Sequence, residues 1–81
     1  MIFLLEYDRA TSTLVMITPF DTQKRKQAED VRLELERNNM NKGIQNEIVI
    51  LDASSEKELR KTHRRYFEPI SQLTFNTHVS T

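Results

Sequence analysis

The sequence contains no cysteine, so this chain forms no disulfide bond and offers no thiolate to a zinc ion or a substrate. Its single glycine excludes a glycine-rich loop that would bind the phosphates of a nucleotide. No apolar run approaches the ~20 residues that a membrane-spanning helix needs. A small domain without disulfides is typical of the cytoplasm, and we predict a cytoplasmic protein that does not associate with membranes.

The length and the charge balance limit the size of the fold. With 81 residues the chain forms one domain at most, and such a domain buries only about 60–65% of the surface that its unfolded chain exposes. A large internal substrate cavity is therefore not expected. Hydrophobic residues make up 37% and charged residues 30% of the chain, which is typical of a folded, charge-rich domain.

Two β-rich segments open the chain: IFLLEYD, residues 2–8, and TLVMITPF, residues 13–20. The short spacer between them predicts an antiparallel hairpin. Residues 2–5 are consecutively apolar, which favours a central strand with a neighbour on either side.

Residues 21–41, DTQKRKQAEDVRLELERNNMN, contain neither Gly nor Pro and predict the first helix. Val31, Leu33 and Leu35 alternate with charged residues, which is instead a strand pattern. We favour the helix because the segment is long and rich in helix-forming residues. A helix that buries Ala28, Val31 and Leu35 leaves Leu33 on its far side as an exposed apolar residue.

A third strand and a second helix complete a predicted ββαβα order. EIVILDAS, residues 47–54, is a continuous apolar segment typical of a buried strand. Ser55 and Glu58 form an S-x-x-E capping box that begins the second helix, and Pro69 sets its latest end.

We predict an α+β fold, a two-layer α/β sandwich whose antiparallel sheet has the order 2-1-3 and carries both helices on one face. A right-handed crossover through the first helix motivates this placement. The domain covers residues 1–68, and residues 69–81 form a C-terminal tail. Leu73, Phe75 and Val79 recur at period two in the tail, so it forms a fourth strand, covers the bare sheet face, or frays.

The second helix concentrates basic side chains in KELRKTHRRYF, residues 57–67. On a helical wheel, Leu59, Tyr66 and Phe67 share one arc, and the opposite arc carries the cations. These cations are Lys57, Arg60, Lys61, Arg64 and Arg65. The face is either the solvated side of an amphipathic helix or a surface that attracts phosphate. No nucleic-acid-binding motif accompanies it.

A second basic cluster, Lys24, Arg25 and Lys26, lies in the first turn of the first helix, where acidic side chains are preferred. In the predicted sheet this cluster lies near Lys57, so the two helix starts could hold an anion. The alternative is that acidic residues at the same edge simply pair with the cations. Those acidic residues are Asp21, Asp52, Glu56 and Glu58.

No pattern in the sequence indicates an enzyme, a metal or a small-molecule cofactor. Glu6, Asp8 and Asp52 fall on neighbouring strands, but the antiparallel arrangement keeps Asp8 and Asp52 apart. His63 lies on the apolar arc of the second helix, where we expect a packed histidine and not a catalytic one.

Three segments are similar to a group of short bacterial proteins of unknown function: FLLEYDR at 3–9, RLELE at 32–36 and LRKTHRRYF at 59–67. The resemblance covers nearly the whole length and implies a stand-alone bacterial cytosolic protein. It implies no activity, cofactor or binding site.

The predicted function is a non-enzymatic interaction module that docks a protein partner or forms a homodimer. Leu33, Leu73 and Phe75 are the predicted interface, because apolar side chains forced onto a surface often mark one. The alternative is a nucleic-acid-binding protein that uses the basic face of the second helix, with Arg60, Lys61, Arg64 and Arg65.

Overall fold

The fold of residues 1–67 is described by a computed structural model of the chain. The strands are β1 (Ile2–Asp8), β2 (Thr13–Phe20) and β3 (Glu47–Asp52), and the helices are α1 (Arg25–Asn41) and α2 (Glu56–Thr62). One 3-10 turn, Thr22–Lys24, precedes α1, and another, Arg64–Tyr66, follows α2. The predicted ββαβα order is confirmed. The tail predictions for Leu73, Phe75 and a fourth strand lie outside the described residues.

The sheet has the order β2-β1-β3 and is antiparallel throughout, as predicted. Every residue of β1 from 2 to 7 is buried, because β1 has a strand on both sides and apolar side chains on both faces. The consecutive apolar run at the start of the chain therefore identified the central strand correctly.

The hairpin between β1 and β2 is shaped by a polar turn and a bulge. Asp8 Oδ1 accepts the backbone N–H groups of Ala10 and Thr11 at 3.0 and 3.3 Å, which is the way an aspartate stabilises a tight turn. Further along, Glu6 faces Met16 while Tyr7 faces Leu14, so Val15 is an extra residue in β2. The bulge leaves Val15 54% exposed on this edge strand.

The two helices lie on opposite faces of the sheet. Successive side chains of a strand point to opposite faces. Phe3, Leu5 and Tyr7 pack with Leu59 and Tyr66 of the α2 region. The neighbouring residue of β1, Glu6, instead accepts a hydrogen bond from Asn39 of α1.

The α+β class and the 2-1-3 sheet are confirmed, but the prediction of both helices on one face, and hence of two layers, is wrong. The handedness rule constrains α1, which connects the two parallel strands β2 and β3. It does not constrain α2, which follows the last strand. Because β1 presents apolar side chains to both faces, α2 packs on the face that α1 leaves open.

A local signal in the sequence fixed the start of α2. Ser55 Oγ accepts the backbone N–H of Glu58 at 3.2 Å, which confirms the predicted N-cap of α2. Neither helix in residues 1–67 combines the length and the apolar character that crossing a bilayer requires.

Candidate functional site

Helix α1 packs on the sheet along a narrow stripe. Ala28 is its one fully buried residue, and Leu35 and Asn39 are half-buried on the same side. Val31, predicted to be buried, lies at the margin of the stripe and is 36% exposed. Most of the helix surface therefore remains open in this part of the chain.

Exposed apolar side chains gather on one flank of α1. Leu33 is 53% exposed, as the helical reading of its segment predicts, and Met40 is 78% exposed. Seven residues separate the two, which places them on the same side of a helix. Ile44, directly after the helix, is 41% exposed. We call Leu33, Glu36, Met40 and Ile44 the α1 flank.

Two adjoining depressions run along the α1 flank and share Glu36. The first, the Met40 depression, is open to solvent and has a volume of about 330 Å³. Its apolar lining is Met40, Ile44 and Ile48, and its polar lining includes Asn39 and Asn46. The second has a volume of about 300 Å³ and is lined by Glu29, Arg32, Leu33 and Glu36.

The end of α1 positions Ile44 beside this depression. Gly43 adopts a φ of 71°, a left-handed conformation that favours glycine. Its N–H donates to the Met40 carbonyl at 3.1 Å, and the Ile44 N–H donates to the Asn39 carbonyl at 2.7 Å. These two bonds form a Schellman motif, which turns the chain back towards the helix.

A buried carboxylate lies behind the Met40 depression. Glu6 on β1 is only 8% exposed and is the one buried charged residue among residues 1–67. Its Oε2 accepts Asn39 Nδ2 at 3.0 Å and Asn46 Nδ2 at 2.8 Å. Ile48, which also lines the depression, is the cross-strand neighbour of Glu6. Three lining residues of the depression are thus neighbours of Glu6, which does not itself line the depression.

From the sequence, Glu6 is a candidate metal ligand, and its position behind the depression is not predicted. Its position did carry a signal, because it is the first charged residue after the apolar run of a strand predicted to be central. The amides of Asn39 and Asn46 could not be assigned to it from sequence, since one lies 33 and the other 40 residues away along the chain.

A second polar cluster joins the α2 region to β3 on the other face. The Tyr66 hydroxyl donates to Glu47 Oε2 at 2.7 Å, and Arg65 donates to Glu47 Oε1 at 2.9 Å. Tyr66 also meets Tyr7 edge to face, with ring centroids 5.3 Å apart. Arg65 lies over the Tyr66 ring at 4.6 Å.

In this cluster the pKa of Glu47 is lowered and the pKa of Tyr66 is raised. The hydrogen bond from Tyr66 and the nearby Arg65 guanidinium hold the pKa of Glu47 below its ordinary value of 4.5. Burial, together with the Glu47 carboxylate, raises the pKa of Tyr66 above its ordinary value of 10.0. The pair is therefore most stable with Glu47 ionised and Tyr66 neutral.

Acid should weaken the fold partly through Glu47. Because its pKa is lower in the folded state, its contribution is present above pH 4.5 and is lost as the pH falls through the lowered pKa. Urea unfolding at several pH values between about 3 and 7 should show a smaller acid loss for Glu47→Gln than for the wild type. The matched control, exposed Glu34→Gln, should keep the wild-type acid loss. Equal losses in all three proteins would contradict this role for Glu47.

Most cations of the predicted basic face have acidic partners. Arg60 pairs with Glu56 at 2.9 Å, Lys61 with Glu58 at 3.6 Å, and Arg65 with Glu47. Arg60 also lies over the Phe67 ring at 4.5 Å. Arg64 is exposed. The pairs of Arg60 and Lys61 are typical of a solvated helix face. The predicted single helical face over residues 57–67 is wrong, because α2 ends at Thr62 and Arg64 and Arg65 lie in the 3-10 turn that follows it. Phosphate binding by these cations stays a prediction.

The cluster at the start of α1 is partly neutralised as well. Arg25 pairs with Asp52 at 2.7 Å, so at this edge an acidic residue does pair with a predicted anion ligand. Lys24, Lys26 and Lys57 are exposed, and no carboxylate of residues 1–67 lies within ion-pair distance of them. An anion site at this edge stays a prediction.

The carboxylates considered as metal ligands do not converge. Asp8 holds the hairpin turn, Asp52 pairs with Arg25, and Glu6 is held by two amides. His63 ends α2, where its Nδ1 lies 2.9 Å from Thr62 Oγ1. In the described part of the chain, no three potential metal ligands lie together.

The chain matches no protein-family model, and comparison with curated proteins and solved structures gives no significant match. The resemblance to short bacterial proteins stays a prediction.

Proposed function

We propose that this protein is a non-enzymatic, cytoplasmic docking module that binds a polypeptide partner through the α1 flank. The observation that carries this proposal is the row of exposed apolar side chains, Leu33, Met40 and Ile44, beside two adjoining depressions. Apolar groups that are exposed next to a concave surface gain about 25 cal/mol for each Å² that a partner covers.

The packing of α1 also supports its role as the docking surface. Helix α1 has 17 residues, of which only Ala28 is completely buried. Packing against the sheet therefore does not require the α1 flank to be apolar. Isolated exposed apolar residues are common on proteins, but three of the four residues of the α1 flank are exposed and apolar, and together they form a surface.

Replacing Leu33 by Glu should abolish docking and spare the fold. Peptides selected from a random phage-displayed library against the wild type should bind Leu33→Glu and Met40→Glu at least about tenfold more weakly, since a charge would be buried at the contact. Val15→Glu is the matched control, because Val15 is equally exposed but lies in the β2 bulge. If the selected peptides bind all four proteins equally, the α1 flank is not the docking surface.

The same variants address self-association by sedimentation equilibrium. Any dimer that the wild type forms through this surface should dissociate in Leu33→Glu and persist in Val15→Glu. A dimer that is unchanged in both variants places its interface elsewhere.

The alternative function, nucleic-acid binding, is supported by the three exposed lysines that lack a carboxylate partner in residues 1–67. Its signature is affinity for RNA or DNA that falls steeply as salt rises. If such binding is lost when Lys24, Lys26 and Lys57 are neutralised together with Arg60, Lys61, Arg64 and Arg65, nucleic-acid binding replaces docking as the function.

A further inference from the structure

We propose that the Met40 depression receives a lysine or arginine side chain of the docked polypeptide, whose cationic group meets the carboxylate of Glu6. This inference rests on the proposed docking function and adds the chemistry of the partner.

Glu6 has no cationic partner among residues 1–67. Glu6 is the only buried charged residue among residues 1–67, and a buried carboxylate without a cation is costly. More exposed carboxylates in the same part of the chain do have cationic partners: Glu36 pairs with Arg32, and Glu47 with Arg65. The partners of Glu6 are two neutral amides.

Within residues 1–67, one of the two carboxylate oxygens of Glu6 is left without a hydrogen bond. Both amides donate to Oε2, and Oε1 accepts no hydrogen bond from residues 1–67. No completely buried side-chain oxygen in this part of the chain lacks a hydrogen-bond partner, so Oε1 is not completely buried. A carboxylate that is oriented through one oxygen and open at the other can accept a bond from an incoming cation.

The size and the lining of the Met40 depression suit a lysine or arginine side chain. A volume of about 330 Å³ is at the lower end of ligand pockets and suits one long side chain better than a cofactor. Met40, Ile44 and Ile48 supply an apolar wall for the methylene groups of a lysine or arginine. Glu36, which forms an ion pair with Arg32, adds a second carboxylate to the lining.

Asn39 and Asn46 act as positioning residues in this arrangement. Asn39 belongs to α1 and Asn46 to the loop before β3, so their bonds to Glu6 hold the two walls of the depression to the central strand. A ligand that reaches Glu6 must therefore change the environment of both side-chain amides, which gives the site a local spectroscopic signal.

The test uses three five-residue peptides that differ only in a central residue between two leucines: lysine, arginine or norleucine. Nitrogen-15 NMR of the wild-type protein follows the side-chain amide signals of Asn39 and Asn46 during each titration. The lysine and arginine peptides should shift both signals and bind about tenfold more tightly than the uncharged norleucine peptide. Equal affinity for norleucine, or no shift of either signal, overturns the inference without any variant.

Glu6→Gln then assigns the preference to the carboxylate. This variant keeps an oxygen acceptor for the two amides and removes the charge, so it should lose most of the preference for the lysine and arginine peptides. Glu36→Gln is the matched control and should retain most of the preference. Preference that persists in Glu6→Gln, or that disappears only in Glu36→Gln, contradicts the role of Glu6.

The outcomes separate this inference from the docking proposal. If library peptides depend on Leu33 and Met40 but show no preference for lysine or arginine, docking stands and the inference fails. If binding is insensitive to Leu33→Glu and Met40→Glu, the docking proposal fails. Occupation by a second copy of the chain would appear as concentration-dependent shifts of Asn39 and Asn46 without peptide, and would also overturn the inference.

Discussion

Leu4→Ala and Leu5→Ala should each lower the free energy of unfolding by about 3 kcal/mol, within the range for buried leucines. Both side chains are fully buried, although they are adjacent on β1 and so point to opposite faces of the sheet. The comparison tests the placement of α1 and α2 on opposite faces. If both helices covered one face, one of the two leucines would be partly solvated and cheap to replace.

Urea unfolding followed by circular dichroism measures both changes, with Val15→Ala as the control. The bulge residue Val15 is exposed, so its replacement should change the free energy of unfolding by less than about 0.5 kcal/mol. A domain of 81 residues has about 4–12 kcal/mol of stability in total, so either leucine variant loses a large share of it. A loss below about 1 kcal/mol for either leucine would contradict the fold described here.

Tyr66→Ala should be similarly damaging, with a loss of about 3 kcal/mol, because a buried aromatic ring is removed from the cluster that holds α2 on the sheet. The ring meets Tyr7 edge to face, and its hydroxyl donates to Glu47. Tyr66→Phe keeps the ring and removes the hydroxyl, so it should lose about 1–2 kcal/mol.

A double-mutant cycle between Tyr66→Phe and Glu47→Gln isolates the hydrogen bond. The combined loss should be smaller than the sum of the two single losses, since both variants remove the same interaction. Lys57→Ala on the neighbouring helix α2 is the control and should be nearly neutral, because Lys57 is exposed. Additive losses in the cycle would mean that Tyr66 and Glu47 stabilise the fold independently.

The proposed docking surface lies on α1, which buries only Ala28 completely. Besides Ala28, polar contacts at both ends hold α1 to the sheet: Arg25 to Asp52 and Asn39 to Glu6. Segments with few buried apolar contacts open more readily than the core, and binding surfaces are commonly drawn from them. Within the domain, α1 makes few buried apolar contacts. A partner that covers Leu33 and reaches Glu6 would supply more of them.

The sequence alone determined the elements of this fold. The apolar run of residues 2–5 predicted the central strand, and the S-x-x-E pattern at Ser55 predicted the start of α2. The exposure of Leu33 followed from the helical period of its segment. These predictions succeeded because they depend on hydrogen bonds and side-chain periodicities within a few residues of each other.

Only the tertiary structure decided which face each helix covers and which groups meet across the sheet. The face of α2 depends on where apolar surface of β1 remains open, which no local pattern of α2 encodes. Glu6 finds its two amides 33 and 40 residues away, and Arg65 finds Glu47 at a separation of 18. Contacts at such distances are set by the packing of whole elements, because a short segment of sequence contains only one of the two partners.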